Sequence, residues 1–264
     1  MVSAVLILSS ALSLWQMGKE APSSFSIQGN VKLGVPLQGE YKNASLARGG
    51  DGYVAEFSNG YLKIADGPNI TGSKVMSLYI RMRDLEGKWN TPVLSMDNPA
   101  TPPLLYGNSD RLEYYWKTTP LKDRIVSDWE IPHYYGEDCR NGILKIGVPT
   151  KIINPSAWHD IIIRFNEANL EMFVDGVLVD EEWPHGGLES FKAPFLIGAG
   201  YQNGELKSGF NGQIDQIAIW DKALTNQQIA TLSGGTREIN KRELEMFGPK
   251  QTSLQYWKPR GYNA

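Results

Sequence analysis

One cysteine, Cys139, stands in a chain of 264 residues, so no disulfide can form within it. A disulfide-stapled scaffold is excluded, and the compartment is left open. The three histidines, His133, His159 and His185, are scattered, and with one thiol they lack the clustered spacing that holds zinc. Basic residues are not in excess: 26 Lys+Arg against 29 Asp+Glu give a formal charge of −3. That excludes the electrostatic footprint of a nucleic-acid binder. Residues 2–15, VSAVLILSSALSLW, fall short of the roughly 20 apolar residues that span a bilayer, so no stable membrane insertion is expected. No Lys or Arg precedes this run. Residues 1–20 read as a secretory signal peptide lacking its basic start, or else as an ordinary apolar strand or helix. No histidine adjoins a Ser or Cys in a nucleophile motif, and G-x-S-x-G is absent.

What the chain does contain is glycine (27), proline (15), tyrosine (12) and tryptophan (8), a composition suited to many short strands and turns. Alternation supplies the strands. Met76, Leu78, Ile80 and Met82 share one face, as do Ile161, Ile163 and Phe165, and Leu170, Met172 and Val174. Asp175-Gly176 predicts a two-residue hairpin turn, which needs positive φ at both positions. Further strands are expected at Tyr53 to Phe57 and Tyr61 to Ile64, joined by an Asn59-Gly60 turn, and at Thr91 to Met96, Arg111 to Lys117 and Gly142 to Gly147. One face of such a meander is apolar and must be covered, which implies two packed sheets. After Leu224 the pattern turns helical. Thr225 with Gln228 forms a capping box for a helix ending before Gly234-Gly235, and a second helix is expected over Arg237 to Phe247.

Three pieces in order, Trp158-His159, Val174-Asp175-Gly176 and Gly212-Gln213-Ile214-Asp215, resemble the C-terminal half of a laminin-G-like, concanavalin A-like jelly roll. The resemblance runs from about Gly49 to about Leu232. It implies an all-β, two-sheet antiparallel β-sandwich over 49–232, preceded by a lead-in or linker (21–48) and followed by a helical extension and tail (233–264). Glucanases of this fold carry E-x-D-x-x-E on one strand, and no Glu here has an Asp two residues on. Asp128-Trp129-Glu130 and Asp180-Glu181-Glu182 are acidic clusters, read as solvated loops or strand ends. In the family the Trp-His histidine is structural. The resemblance also implies a structural calcium between Asp51, in the turn Gly50-Asp51-Gly52, and Asp215 in the last strand.

The tail Gln255 to Ala264, QYWKPRGYNA, is similar to the lead-in to the first blade of a fructan-cleaving, family 32-type propeller glycosidase. It implies an accessory module beside a glycosidase catalytic domain.

Sugar rings stack on aromatic side chains and hydrogen-bond to polar ones. The candidates are Trp116, Trp129, His133, Tyr134, Tyr135, Asp138, Arg140, Trp183 and His185, with Tyr114 and Tyr201 as further aromatics. The long loop between the strands at 111–117 and 142–147 holds most of them, and long loops in compact domains often carry function. For any single aromatic, packing inside the sandwich is the competing role. The sequence therefore points to a non-catalytic carbohydrate-binding or carbohydrate-associated module, secreted, periplasmic or on the cell surface, that meets an oligo- or polysaccharide such as a fructan. The alternatives are a docking or spacer module without sugar binding, and a glycosidase with an unfamiliar carboxylate pair.

Overall fold

Period-two alternation is what the backbone obeys. The computed structural model describes residues 13–16, 30–33, 41–49, 52–64, 69–71, 75–86, 92–98, 105–108, 110–117, 143–166, 169–182, 190–192, 194–202 and 204–234. In chain order the strands are β1 (Ser13–Gln16), β2 (Asn30–Leu33), β3 (Tyr41–Gly49), β4 (Gly52–Ile64), β5 (Asn69–Thr71) and β6 (Val75–Asp84). Then come β7 (Pro92–Met96), β8 (Leu105–Asn108), β9 (Arg111–Lys117), β10 (Ile143–Pro149), β11 (His159–Asn166) and β12 (Leu170–Val174). The last are β13 (Val177–Glu182), β14 (Ser190–Lys192), β15 (Phe195–Ile197), β16 (Ala199–Gln202), β17 (Glu205–Ser208) and β18 (Asn211–Trp220), followed by the helix α1 (Asn226–Leu232).

Hydrogen bonds link the strands in the order β10-β9-β8-β7-β15-β4-β18-β6-β11-β12-β13. The pairs along this path are antiparallel. Its two ends meet, since the Gly147 N–H of β10 donates to Asp180 Oδ2 of β13 at 2.8 Å. The path has therefore folded over on itself into a jelly-roll β-sandwich. Asp180 also occupies an edge N–H that would otherwise be open to pairing with another chain.

Between the layers lies one apolar core. Leu78, Ile80, Ile163, Phe165 and Met172 come from one side, and Leu105, Tyr114, Ile146, Phe195 and Ile197 from the other. The alternating set Met76, Leu78, Ile80 and Met82 is fully buried. Truncating one such residue to Ala costs about 2–5 kcal/mol. Tyr114, a sequence candidate for stacking on sugar, is at 0% exposure in this core. Its strand neighbour Leu112 has the same parity, and burial pushes the Tyr114 hydroxyl far above the ordinary phenol range.

A second apolar cluster lies on the outer face of β18, β6, β11 and β12, where Tyr79, Ile162, Phe173, Ala218 and Trp220 meet Leu224, Ile229 and Leu232. α1 thus lies on the sandwich. Its start carries the full capping box: Gln228 N–H donates to Thr225 Oγ1, and Thr225 N–H to Gln228 Oε1. Such a cap is worth about 0.5–2 kcal/mol. The helix expected over 237–247 lies outside the described residues.

At Asp175-Gly176 both residues have positive φ, 50° and 83°, as the hairpin turn requires. Asn59-Gly60 does not turn the chain. β4 runs on through it, and the register with β3 slips from Lys42↔Tyr61 to Ala44↔Phe57. Asn59 takes φ 49°, and its N–H donates to Asn211 Oδ1 of β18 at 2.7 Å. A partner outside the local sequence turned a hairpin signal into a bulge. The stretch read as an irregular lead-in supplies β3, paired along β4, and the apolar N-terminal stretch supplies β1, paired with Gln216–Ile219 positions of β18.

Candidate functional site

The three family-like pieces converge on a closed polar network. His159 is buried, with Nδ1 2.8 Å from Asp175 Oδ2 and Nε2 2.7 Å from the Asn154 carbonyl. The Asp160 N–H donates to Asp175 Oδ1 at 2.9 Å, and the Tyr79 hydroxyl donates to Asp160 Oδ1 at 2.9 Å. Burial first, and the Asp160 charge second, hold the Tyr79 hydroxyl well above the usual phenol range, so it remains a donor. Arg81 lies 3.2 Å from Asp160 and 3.6 Å from Asp215. Trp158 packs against Arg81 and Arg83, whose guanidinium carbons are 5.8 and 5.1 Å from its ring centroid. Arg83 in turn donates through Nε and Nη2 to Gln213 Oε1, and the Gln213 amide donates to Glu56. These groups answer one another across β4, β18, β6, β11 and β12. They lock the register of the sheet, which is the physical content of the sequence pattern.

Asp215, expected as a calcium ligand, is therefore already beside a guanidinium. Asp51 lies outside the described residues. Among the described residues no three of His, Cys, Asp and Glu are grouped so as to hold a metal ion.

A different arrangement occupies the outer face of β8, β9 and β10. Alternation along β9 puts Leu112 and Tyr114 in the core, and Arg111, Glu113 and Tyr115 on the opposite face. Tyr106 of β8 stands directly across from Glu113, and Lys145 of β10 across from Tyr115. Tyr106 and Tyr115 are thus diagonal neighbours on one face, about 7–8 Å apart at the backbone. Both are half-buried. Glu113, at 3% exposure, shares their face, across from Tyr106 and two residues from Tyr115. It accepts from the Tyr115 hydroxyl at 2.9 Å and lies 3.4 Å from Lys145 Nζ and 3.7 Å from Arg111 Nε. Arg111 also reaches Asp180 at 3.6 Å and the Gly147 carbonyl. Gly147 has to be glycine, because a Cβ there would lie 2.5 Å from the Leu112 carbonyl oxygen. The result is two tyrosines on one face beside a group of charges that hold one another in place.

Of the residues chosen from sequence, Trp116 lies in β9 opposite Leu144. Trp129, His133, Tyr134, Tyr135, Asp138, Arg140, Trp183 and His185 lie outside the described residues. Sequence reasoning chose Tyr114 and passed over Tyr115 and Tyr106. The usable signal was parity: Tyr114 shares its face with Leu112, and Tyr115 shares its face with Arg111 and Glu113.

Fold and sheet order define a jelly-roll β-sandwich. Residues 138–230 match the family Laminin_G_3, described as the concanavalin A-like lectin/glucanases superfamily. No curated protein matches the chain in sequence. Among solved structures, the botulinum neurotoxin serotype D binding domain is similar at TM-score 0.56 and 11% identity, over 88% of this chain and 52% of that one. The binding domain of botulinum neurotoxin DC in complex with SialylT matches at TM-score 0.50 and 15% identity, over 75% of this chain and 47% of that one. Domain 4 of AbnA, a GH43 extracellular arabinanase from Geobacillus stearothermophilus, in complex with arabinotriose, gives TM-score 0.47 at 15% identity, over 75% and 84%. The chain spans about half the length of the toxin binding domains it matches. At such identities the likeness to the two toxin binding domains shows the fold alone. No helix among the described residues is long and apolar enough to cross a membrane.

Proposed function

We propose that this chain is a non-catalytic carbohydrate-binding module whose saccharide lies on the outer face of β8 to β10. The observation that carries this is the Tyr106–Tyr115 pair over the fixed Glu113, Lys145 and Arg111 cluster. Two half-buried rings offer stacking surface, and the charged groups around them are already oriented, so little ordering is lost on binding. Residues 118–142, which join β9 to β10 in sequence and carry Trp129, His133, Tyr134, Tyr135, Asp138 and Arg140, belong to the proposal.

On this face the two described carboxylates are held by other protein groups, which agrees with a non-catalytic role. Glu113 is engaged by Tyr115, Lys145 and Arg111, and Asp180 by the Gly147 N–H and Arg111. A glycosidase needs two carboxyls facing one bond, about 5–5.5 or 6.5–9.5 Å apart. Solved structures of this fold include binding domains, which agrees with a binding role.

The resemblance of Gln255 to Ala264 to a glycosidase lead-in makes fructans the first ligands to try and a secreted glycosidase domain the proposed partner. A calcium ion shared by Asp51 and Asp215 would have to compete with Arg81, and melting in calcium against chelator tests it.

The test is affinity electrophoresis of the purified chain through gels containing levan, inulin, arabinan or β-glucan. Retardation that is lost in Tyr115→Ala and Tyr106→Ala supports the reading. No retardation on any of these gels, with none on a glycan array, overturns it in favour of a docking or spacer module.

A further inference from the structure

A second constellation stands apart from the β8–β10 face. After β15 the chain turns at Gly198 (φ 82°) and folds back over β7. Gly200 passes so close that a Cβ there would lie 2.2 Å from Ser95 Oγ. The hairpin β16–β17 then brings Tyr201 to Asp97, and its hydroxyl donates to Asp97 Oδ1 at 3.0 Å. Lys63 Nζ of β4 lies 2.7 Å from Asp97 Oδ2. Directly across the hairpin from Tyr201 is Leu206, 41% exposed, one of two large apolar side chains so exposed among the described residues.

Each oxygen of Asp97 thus receives one hydrogen bond. An ionised carboxylate offers about four acceptor positions, and the described residues occupy two of them at Asp97. Lys63 matches the Asp97 charge, which leaves the cluster neutral as a whole. The Tyr201 ring with Leu206 beside it supplies an apolar surface at the edge of these acceptors. A carboxylate with spare acceptor positions suits two adjacent hydroxyls, and an apolar wall beside it suits the C–H face of a sugar ring. An anionic sugar would meet Asp97 head-on.

We propose that Lys63, Asp97, Tyr201 and Leu206 form a second saccharide site, for a neutral sugar unit with adjacent hydroxyls, so that the module holds a polysaccharide at two points. The inference rests on the reading of the chain as a carbohydrate-binding module. Two sites on one rigid body raise avidity toward a chain long enough to reach both, without any new contact.

The experiment runs wild type, Tyr201→Ala, Tyr201→Phe, Leu206→Ser and Tyr115→Ala through the levan, inulin, arabinan and β-glucan gels, with melting curves to establish folding. The expected result is weaker retardation by about tenfold or more in Tyr201→Ala, a smaller loss in Tyr201→Phe, and a greater loss when Tyr201→Ala and Tyr115→Ala are combined. Wild-type retardation of folded Tyr201→Ala and Leu206→Ser, on gels where Tyr115→Ala is impaired, overturns the second site and leaves the first. Wild type retarded on no gel overturns both. Tyr201→Ala impaired with Tyr115→Ala unaffected upholds this site and removes the other.

Discussion

Arg164 and Glu171 face each other across β11 and β12 and form a two-pronged ion pair, Nε to Oε2 at 2.6 Å and Nη2 to Oε1 at 2.8 Å. Arg164 Nη1 also donates to the Leu224 carbonyl and to Asn226 Oδ1, both at 2.8 Å, so one guanidinium ties the sheet to the start of α1. Its face lies 4.9 Å from the Phe173 ring centroid. Both side chains are nearly buried, at 11% and 8% exposure. Removing one partner strands the other charge, at a cost of about 3–5 kcal/mol. Glu171→Leu is therefore expected to lower the urea midpoint strongly, and Arg164→Met with Glu171→Leu to recover much of the loss. A double variant as unstable as the single one would show that the contacts to Leu224 and Asn226 dominate.

Gly198 is the hinge of the fold-back that makes the hairpin site. At φ 82° an L side chain is strained by about 1–2 kcal/mol. A Cβ there would also lie 2.6 Å from the Gly60 carbonyl oxygen. Gly198→Ala is expected to destabilise the protein by more than the strain alone, seen as a fall in melting temperature. Gly204, in the same hairpin at φ 78°, has nothing within 4 Å of its Cβ position, so Gly204→Ala should cost strain and no more. Equal losses at the two positions would show that the contact with Gly60 is relieved by movement.

Strands whose two faces differ could be read from the chain directly. β6, β11 and β12 each send an alternating apolar set to the core, although the other face of β11 and β12 is buried as well, and Asp175-Gly176 signals its own turn, so their positions follow from local chemistry. The bulge at Asn59 could not be read, because it depends on Asn211, far off in sequence. The site divides in the same way. Aromatic content pointed toward the β9–β10 hairpin, but choosing Tyr115 over Tyr114 needs the parity of Leu112. The Lys63–Asp97–Tyr201 group needs β4, β7 and the fold-back hairpin to meet, which no local pattern encodes.

Tyr115→Phe separates stacking from hydrogen bonding on the proposed β8–β10 site. It removes the hydroxyl that donates to Glu113 Oε2 at 2.9 Å and keeps the ring. If the ring is the anchor, Tyr115→Phe should keep most of the affinity that Tyr115→Ala loses. A central aromatic anchor is worth about 2 kcal/mol or more, so the Ala variant should bind at least tenfold more weakly. Titration calorimetry with whichever oligosaccharide is retarded in gels measures both. Equal losses in Phe and Ala would assign the binding to the fixed Glu113 cluster.

Acid sensitivity of the hairpin follows from Asp97. The hydrogen bond from Lys63 comes first, partial burial opposes it, and the Tyr201 hydroxyl adds to it, so the carboxyl is held below the usual aspartate range. The same bond holds the Tyr201 hydroxyl above its usual range, because ionising it would lose a donor to Asp97. A group whose pKa is depressed by folding contributes stability above its unfolded pKa, about 3.9 for aspartate. That contribution fades as pH falls toward the folded value and is gone below it. Wild type should therefore exceed Asp97→Asn in urea midpoint at pH 6, and the gap should narrow steadily from about pH 4 downward. Lys63→Met removes the leading cause, so in that background the pH dependence of the gap should flatten. A gap between wild type and Asp97→Asn that stays constant from pH 6 to pH 3 would show that Asp97 acts through its shape and not its charge.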